Sequence, residues 1–114
     1  MSVKLNQKAL DHARDLIKAN HYVKASDWSE AAPTAARENE KIERDGYEGY
    51  AKWFLAEKTE ENEGTKGRYM FPYGDFSRVH RSGLAAAKQR AGEWGYDDVL
   101  KAADELMEMI PEPD

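Results

Sequence analysis

The sequence predicts an α+β fold: a mostly helical single domain with one short β-hairpin. Three observations lead there. Apolar residues recur at helical spacing in several stretches. A segment over about 68–81 carries strand-forming residues on both sides of a Pro-Tyr-Gly-Asp turn. The chain has only 114 residues, room for one domain over 1–114. Leu, Ile, Val and Phe total 17, a low share for a folded chain. Twelve aromatic residues and a net charge of only -5 argue instead for a compact, polar-coated domain whose core mixes Ala with aromatics.

Helix one starts near Asn6, whose side chain is placed to cap the first turn, and Ala9, Leu10, Ala13, Leu16 and Ile17 give it one apolar face. It stops around Asn20 to Tyr22. Asp27, followed three residues later by Glu30, has capping-box spacing and opens a short helical turn from Asp27 to Ala32 that carries Trp28. Pro33 interrupts it. Thr34 caps a second helix through Arg44, which Asp45 and Gly46 end. Tyr47, Tyr50, Ala51, Phe54 and Leu55 then fall at i, i+3, i+4, i+7 and i+8, so a third helix is expected on the core.

Residues 57–67, EKTEENEGTKG, lack apolar periodicity and hold two glycines, the pattern of an exposed connection. The hairpin follows, with Tyr69 to Phe71 and Arg78 to His80 as its strands. Pro72 donates no ladder hydrogen bond and belongs at a strand end or edge. Ser82 caps the next helix, which groups Leu84, Ala87, the Lys88 stem and Ala91 on one side and ends near Gly95. The last helix opens at Asp97 on a stripe of Val99, Ala103, Leu106, Met107 and Ile110. Pro111 with Pro113 ends it, so 82–110 forms a C-terminal helix pair.

Charge is laid out in blocks. Residues 1–24 carry a net +3, residues 25–64 -6, residues 65–92 +5 and residues 93–114 -7. Either the blocks neutralise one another in the fold or a basic face stands open. No run approaches the roughly 18 apolar residues of a membrane helix, and the N-terminal MSVKLNQKALDHARDL has no apolar signal core. A cytoplasmic, soluble chain without a membrane partner is expected. The absence of cysteine excludes a disulfide framework, a thiol nucleophile, an iron–sulfur cluster and a thiolate zinc site.

The segment richest in chemistry is 66–90. Lys66, Arg68, Arg78, Arg81, Lys88 and Arg90 accompany His80 and the aromatics Tyr69, Phe71, Tyr73 and Phe76, with Asp75 the only acid. Cations interleaved with aromatics hold phosphates and stack bases. Ser82 and Gly83 at a helix start add backbone N–H groups between Arg78 and Arg81. The alternative is that these aromatics form the hairpin's core face and the cations bridge to acidic segments. For acid–base chemistry the candidates are Asp75 and His80 with Tyr73, close to one turn. No nucleophile elbow, phosphate loop, dinucleotide fingerprint or zinc-protease motif occurs. His12 and His21 lie nine residues apart and cannot share a metal on one helix face. Glu57, Glu60, Glu61 and Glu63 lack the pattern of a calcium loop. No cofactor is expected.

Trp28, Trp53 and Trp94 are many tryptophans for so small a chain, either large core residues or anchors of an interface. Met107 and Met109 point to different sides of the last helix, which offers one of them to a partner. The leading expectation is therefore a non-catalytic protein-interaction module, with a protein partner or self-association, using the basic hairpin and acidic tail. The alternative is phosphate or nucleic-acid binding through Lys66, Arg68, Tyr69, Tyr73, Arg78, His80, Arg81, Ser82, Lys88 and Arg90.

The run T-K-G-R-Y-M-F-P-Y-G-D-F-S-R-V-H-R-S-G-L-A-A-A-K-Q-R-A, followed by A-A-D-E-L, resembles a family of small uncharacterised bacterial proteins. The specific part spans Thr65 to Leu106, and Asp27-Trp28-Ser29 with Asn62 to Lys66 extends it over most of the chain. A looser pattern, a basic-aromatic-Pro strand, a turn and a strand leading to a Ser-Gly helix start, is similar to domains of phage and prophage head-morphogenesis proteins. The resemblance implies no activity or ligand. It implies that the hairpin and the following helix are one unit.

Overall fold

The computed structural model describes residues 2–112, and Pro113, expected above to help end the last helix, lies outside them. In chain order these residues form β1 (Val3–Leu5), α1 (Gln7–Lys18), β2 (Tyr22–Val23), α2 (Trp28–Ala31) and α3 (Ala35–Ala51). There follow β3 (Phe54–Lys58), a short 3-10 turn (Lys66–Arg68), β4 (Tyr69–Pro72), β5 (Val79–His80), α4 (Arg81–Trp94) and α5 (Asp97–Met109). Five α-helices thus surround an antiparallel sheet of order β1-β3-β4 and a separate parallel pair, β2-β5, among the described residues. The class is α+β and mostly helical.

The strands pair differently from the sequence expectation. Tyr69–Pro72 does not turn back onto Val79–His80. It runs antiparallel to β3, with Phe54 opposite Pro72 and Ala56 opposite Met70, so the polar connection after β3 is the true hairpin loop. β5 instead runs parallel to β2, Val79 opposite Tyr22. What survives of the expected hairpin is one bridge between Gly74 and Val79, a turn closed by the Asp75 N–H on the Arg78 carbonyl at 3.1 Å. The expected third helix likewise stops at Ala51, and Phe54 and Leu55 belong to the central strand. A strand buried on both faces has no alternation, so Tyr50, Ala51, Phe54 and Leu55 mimic helical spacing by accident. Glu57 and Lys58, expected in the connection, also lie in β3 and are half-buried.

Local signals decide most helix ends. Thr34 accepts the Arg37 N–H at 3.2 Å and the Asp27 carboxylate accepts the Ser29 N–H at 3.0 Å, both at helix N-caps. Gly46 breaks the helical run of α3 at φ 73°, ψ 176°, a conformation open to glycine and costly for other residues. Gly95 ends α4 in the left-handed region, and Asp97 and Asp98 follow in the first turn of α5, where their charge favours the helix dipole. Two expected caps are absent. α4 already starts at Arg81, so Ser82 lies inside its first turn. Asn6 precedes α1, but its side chain makes no cap bond. It is 5% exposed and its amide donates to the carbonyls of Ala51 at 2.9 Å and Phe54 at 3.1 Å.

That detour has a cause in the sheet. The Trp53 carbonyl accepts the Tyr73 N–H across to β4 at 3.3 Å, so the next carbonyl along the strand, that of Phe54, faces away from β4 and takes its donor from Asn6. Around this centre α1, α4 and α5 bury Ala9, Leu10, Ala13 and Ile17, then Leu84, Ala87 and Ala91, then Val99, Ala102, Ala103 and Leu106. Leu55, Leu84 and Leu106 are fully buried, each contributing about 1.5–3 kcal/mol. Alanines at the α4–α5 contact let the two helices approach closely, which compensates for the scarcity of large aliphatic residues. No described helix is long and apolar enough to cross a membrane.

Candidate functional site

The cations of segment 66–90 do not gather on one open face. Arg68 is held by Glu57 at 2.8 Å and also donates to the Glu61 carbonyl at 2.7 Å. Lys66 reaches Glu38 at 3.5 Å, Lys88 reaches Asp104 at 2.7 Å and Arg81 reaches Glu112 at 4.0 Å. The hydrogen bond it donates to Glu57, with that carboxylate's charge, outweighs burial and holds the Arg68 guanidinium above its ordinary pKa. Only Arg78 and Arg90 of the six lack an acidic partner among the described residues, and both are exposed. Four of the six cations of the segment are therefore paired with acidic side chains contributed by other parts of the fold.

The aromatics of the segment turn inward. Tyr73 is fully buried, stacks on Trp53 with ring centres 5.5 Å apart, and donates its hydroxyl to the Lys52 carbonyl at 2.7 Å. It is not placed to stack a base. Burial pushes its hydroxyl above the ordinary tyrosine range. Tyr69 is half-buried against Tyr50 and Phe54, and its hydroxyl donates to the Glu63 carbonyl at 2.7 Å. Phe76 packs on Tyr50 and Trp53. Phe71 and Phe76 have φ of 63° and 69°, a strained region for an aromatic residue.

Asp75 and His80 do meet, as the sequence expected, but Tyr73 is not part of the group. His80 Nε2 lies 2.8 Å from Asp75 Oδ2, His80 Nδ1 lies 2.8 Å from Ser26 Oγ, and Ser26 Oγ lies 2.7 Å from Ser82 Oγ. The proton directions follow from the ends. An ionised carboxylate only accepts, so Nε2 carries a hydrogen; in the neutral ring Nδ1 then accepts from Ser26, and Ser26 accepts from Ser82. Burial pushes the Asp75 carboxyl up, yet hydrogen bonds from His80 and from the Arg78 and Ser77 N–H groups outweigh it and leave it below its ordinary value. An Asp-His-Ser chain is the kind that activates a hydroxyl. Here His80 is 6% exposed, with Trp28 against it at 5.8 Å. These bonds tie the loop at Ser26, the 74–78 turn and the start of α4 together.

The open surface lies elsewhere. Between β4 and α4 runs a groove of about 400 Å³ walled by Trp28, Met70, Phe71, Pro72 and Ala86, with Arg90 at its rim. A second depression on the same helix is bounded by Ala86, Gln89, Arg90, Glu93 and Trp94. The two share Ala86 and Arg90. Trp94 is 68% exposed, the one large apolar side chain so open among the described residues, whereas Trp53 is a core residue at 3%. Met107 and Met109 are both half-buried against the core, so neither is presented freely. Sequence reasoning named Trp28 and Trp94 but not Met70, Pro72 or Ala86 as groove walls, because the groove exists only once an edge strand and a helix are side by side. Ser26 carried no local signal at all.

Comparison of the chain with protein-family models, with curated proteins and with solved structures finds no match.

Proposed function

We propose that the chain is a non-catalytic protein-interaction module whose docking face is the outer side of α4 with the neighbouring edge strand β4. The observation that carries this reading is Trp94, exposed beside a depression that shares Ala86 and Arg90 with the apolar groove walled by Trp28. Tryptophan and arginine in a well-packed apolar surround are the side chains that most often dominate binding energy between proteins. This face differs from the basic hairpin and acidic tail expected from the sequence, since four of the six cations are already paired with acidic side chains, Arg81 and Lys88 with those of the tail. The same pairing weighs against phosphate or nucleic-acid binding by the segment, as does the buried Tyr73.

The test is selection of phage-displayed random peptides on the immobilised protein. Enriched families that lose binding to Trp94→Ala by about tenfold or more support the reading. No enrichment above the bare support, or families indifferent to Trp94, overturns it.

A further inference from the structure

The groove between β4 and α4 has a specific chemistry. Its walls are apolar, and among the described residues Arg90 is the only charged one lining it. Of the three cations on α4, Arg81 and Lys88 are turned to Glu112 and Asp104, whereas Arg90 has no acidic partner among the described residues. A guanidinium at the edge of an apolar surface prefers a carboxylate, which it binds through paired N–H donors, and it loses less hydration than an ammonium on doing so. A space of about 400 Å³ takes one or two large side chains and falls within the size of specific pockets.

Resting on the interaction reading above, we infer that the occupant is a linear peptide segment of a partner protein. It seats an aliphatic or aromatic side chain between Trp28, Phe71 and Ala86 and sets a neighbouring Asp or Glu carboxylate on Arg90. From there it continues along α4 to Trp94. Lowered water content at the apolar walls strengthens the ion pair relative to one on an open surface. Trp28 is fixed as a wall by its neighbours: a Cβ at Gly83 would approach its ring to 2.8 Å, so helix and ring leave no slack.

The experiment takes the peptides selected on the wild-type protein, labels them with a fluorophore and measures anisotropy against wild type, Arg90→Glu, Arg90→Lys and Trp28→Ala. Arg90 is exposed, so its variants keep the fold, which circular dichroism checks. The expected result is a consensus with an acid one or two positions from an apolar residue, affinity reduced about tenfold or more by Arg90→Glu, and recovery when the peptide acid is changed to Lys. Peptides that depend on Trp94 but bind Arg90→Glu as well as wild type would overturn the carboxylate assignment while leaving the interaction reading standing. A dimer in sedimentation that Arg90→Glu dissolves would give the groove to a second copy and overturn the peptide. Loss of Trp94 dependence in every family sinks both.

Discussion

Replacing Asn6 with Ala tests how much one buried side chain contributes by pairing backbone carbonyls at the junction of α3 and β3. The Asn6 amide is the donor for two carbonyls, that of Ala51, half-buried in the last turn of α3, at 2.9 Å and the buried one of Phe54 at 3.1 Å. Neither has an obvious substitute: the last turn of a helix leaves carbonyls unpaired, and Phe54 lies beyond the last β1–β3 pair, Leu5 with Ala56. Each unsatisfied buried acceptor costs about 1–3 kcal/mol, so allowing for some water entry the variant should lose about 2–4 kcal/mol. With an unfolding entropy of about 2.1 cal/mol/K per residue over 114 residues, that corresponds to a fall in Tm of about 8–16 °C. Calorimetry and urea unfolding followed by circular dichroism measure it, with exposed Gln7→Ala as the reference. A loss below about 0.5 kcal/mol would refute the assignment, since it would mean the two carbonyls find other donors.

Three further outcomes follow from the same geometry. Gly74→Ala should cost more than about 2 kcal/mol, because its Cβ would stand 2.4 Å from the Arg78 carbonyl and 2.6 Å from the Trp53 ring, whereas Gly67→Ala, with nothing within 4 Å, should stay within about 0.5 kcal/mol; urea midpoints compare them. The Asp75 carboxyl lies below its ordinary 3.8 in the folded chain, so its contribution is present above that pH and is lost as pH falls through the folded value. Acid titration of stability should show a steeper loss below about pH 4 in wild type than in Asp75→Asn, and equal slopes would contradict the His80 pairing. Labelled single- and double-stranded DNA and RNA should show anisotropy changes with a log–log salt slope below about 2, since four of the six cations are already paired. A slope of several units would restore the nucleic-acid reading.

Features encoded over three or four residues were legible in the sequence. Thr34, Asp27, Gly46 and Gly95 each mark an end by local hydrogen bonding or backbone freedom, and α1 and α5 show plain amphipathic stripes. Strand pairing was not legible. β4 joins β3 across a polar loop, while β5 joins β2 from more than fifty residues away, and a two-residue parallel pair has no sequence signature. The site was legible in composition only. Six cations and four aromatics drew attention to 66–90, but whether a cation is free depends on which acid folds against it, as Glu38 and Asp104 do. Asp75 and His80 were found because one turn brings them together; Ser26, fifty-four residues from His80, was not.

The three tryptophans sit in three graded environments: Trp53 sealed in the core, Trp28 half-covered at the groove, Trp94 open to water. The molecule is thereby its own spectroscopic gauge. Acrylamide or iodide reaches Trp94 first and Trp53 last, so single-tryptophan variants report separately on occupation of the α4 strip, movement of the groove wall and integrity of the interior. Emission of Trp94 should shift to the blue when the strip is covered, while that of Trp53 stays fixed until the chain unfolds. Binding and unfolding, which a bulk signal would mix, become two colours of one experiment.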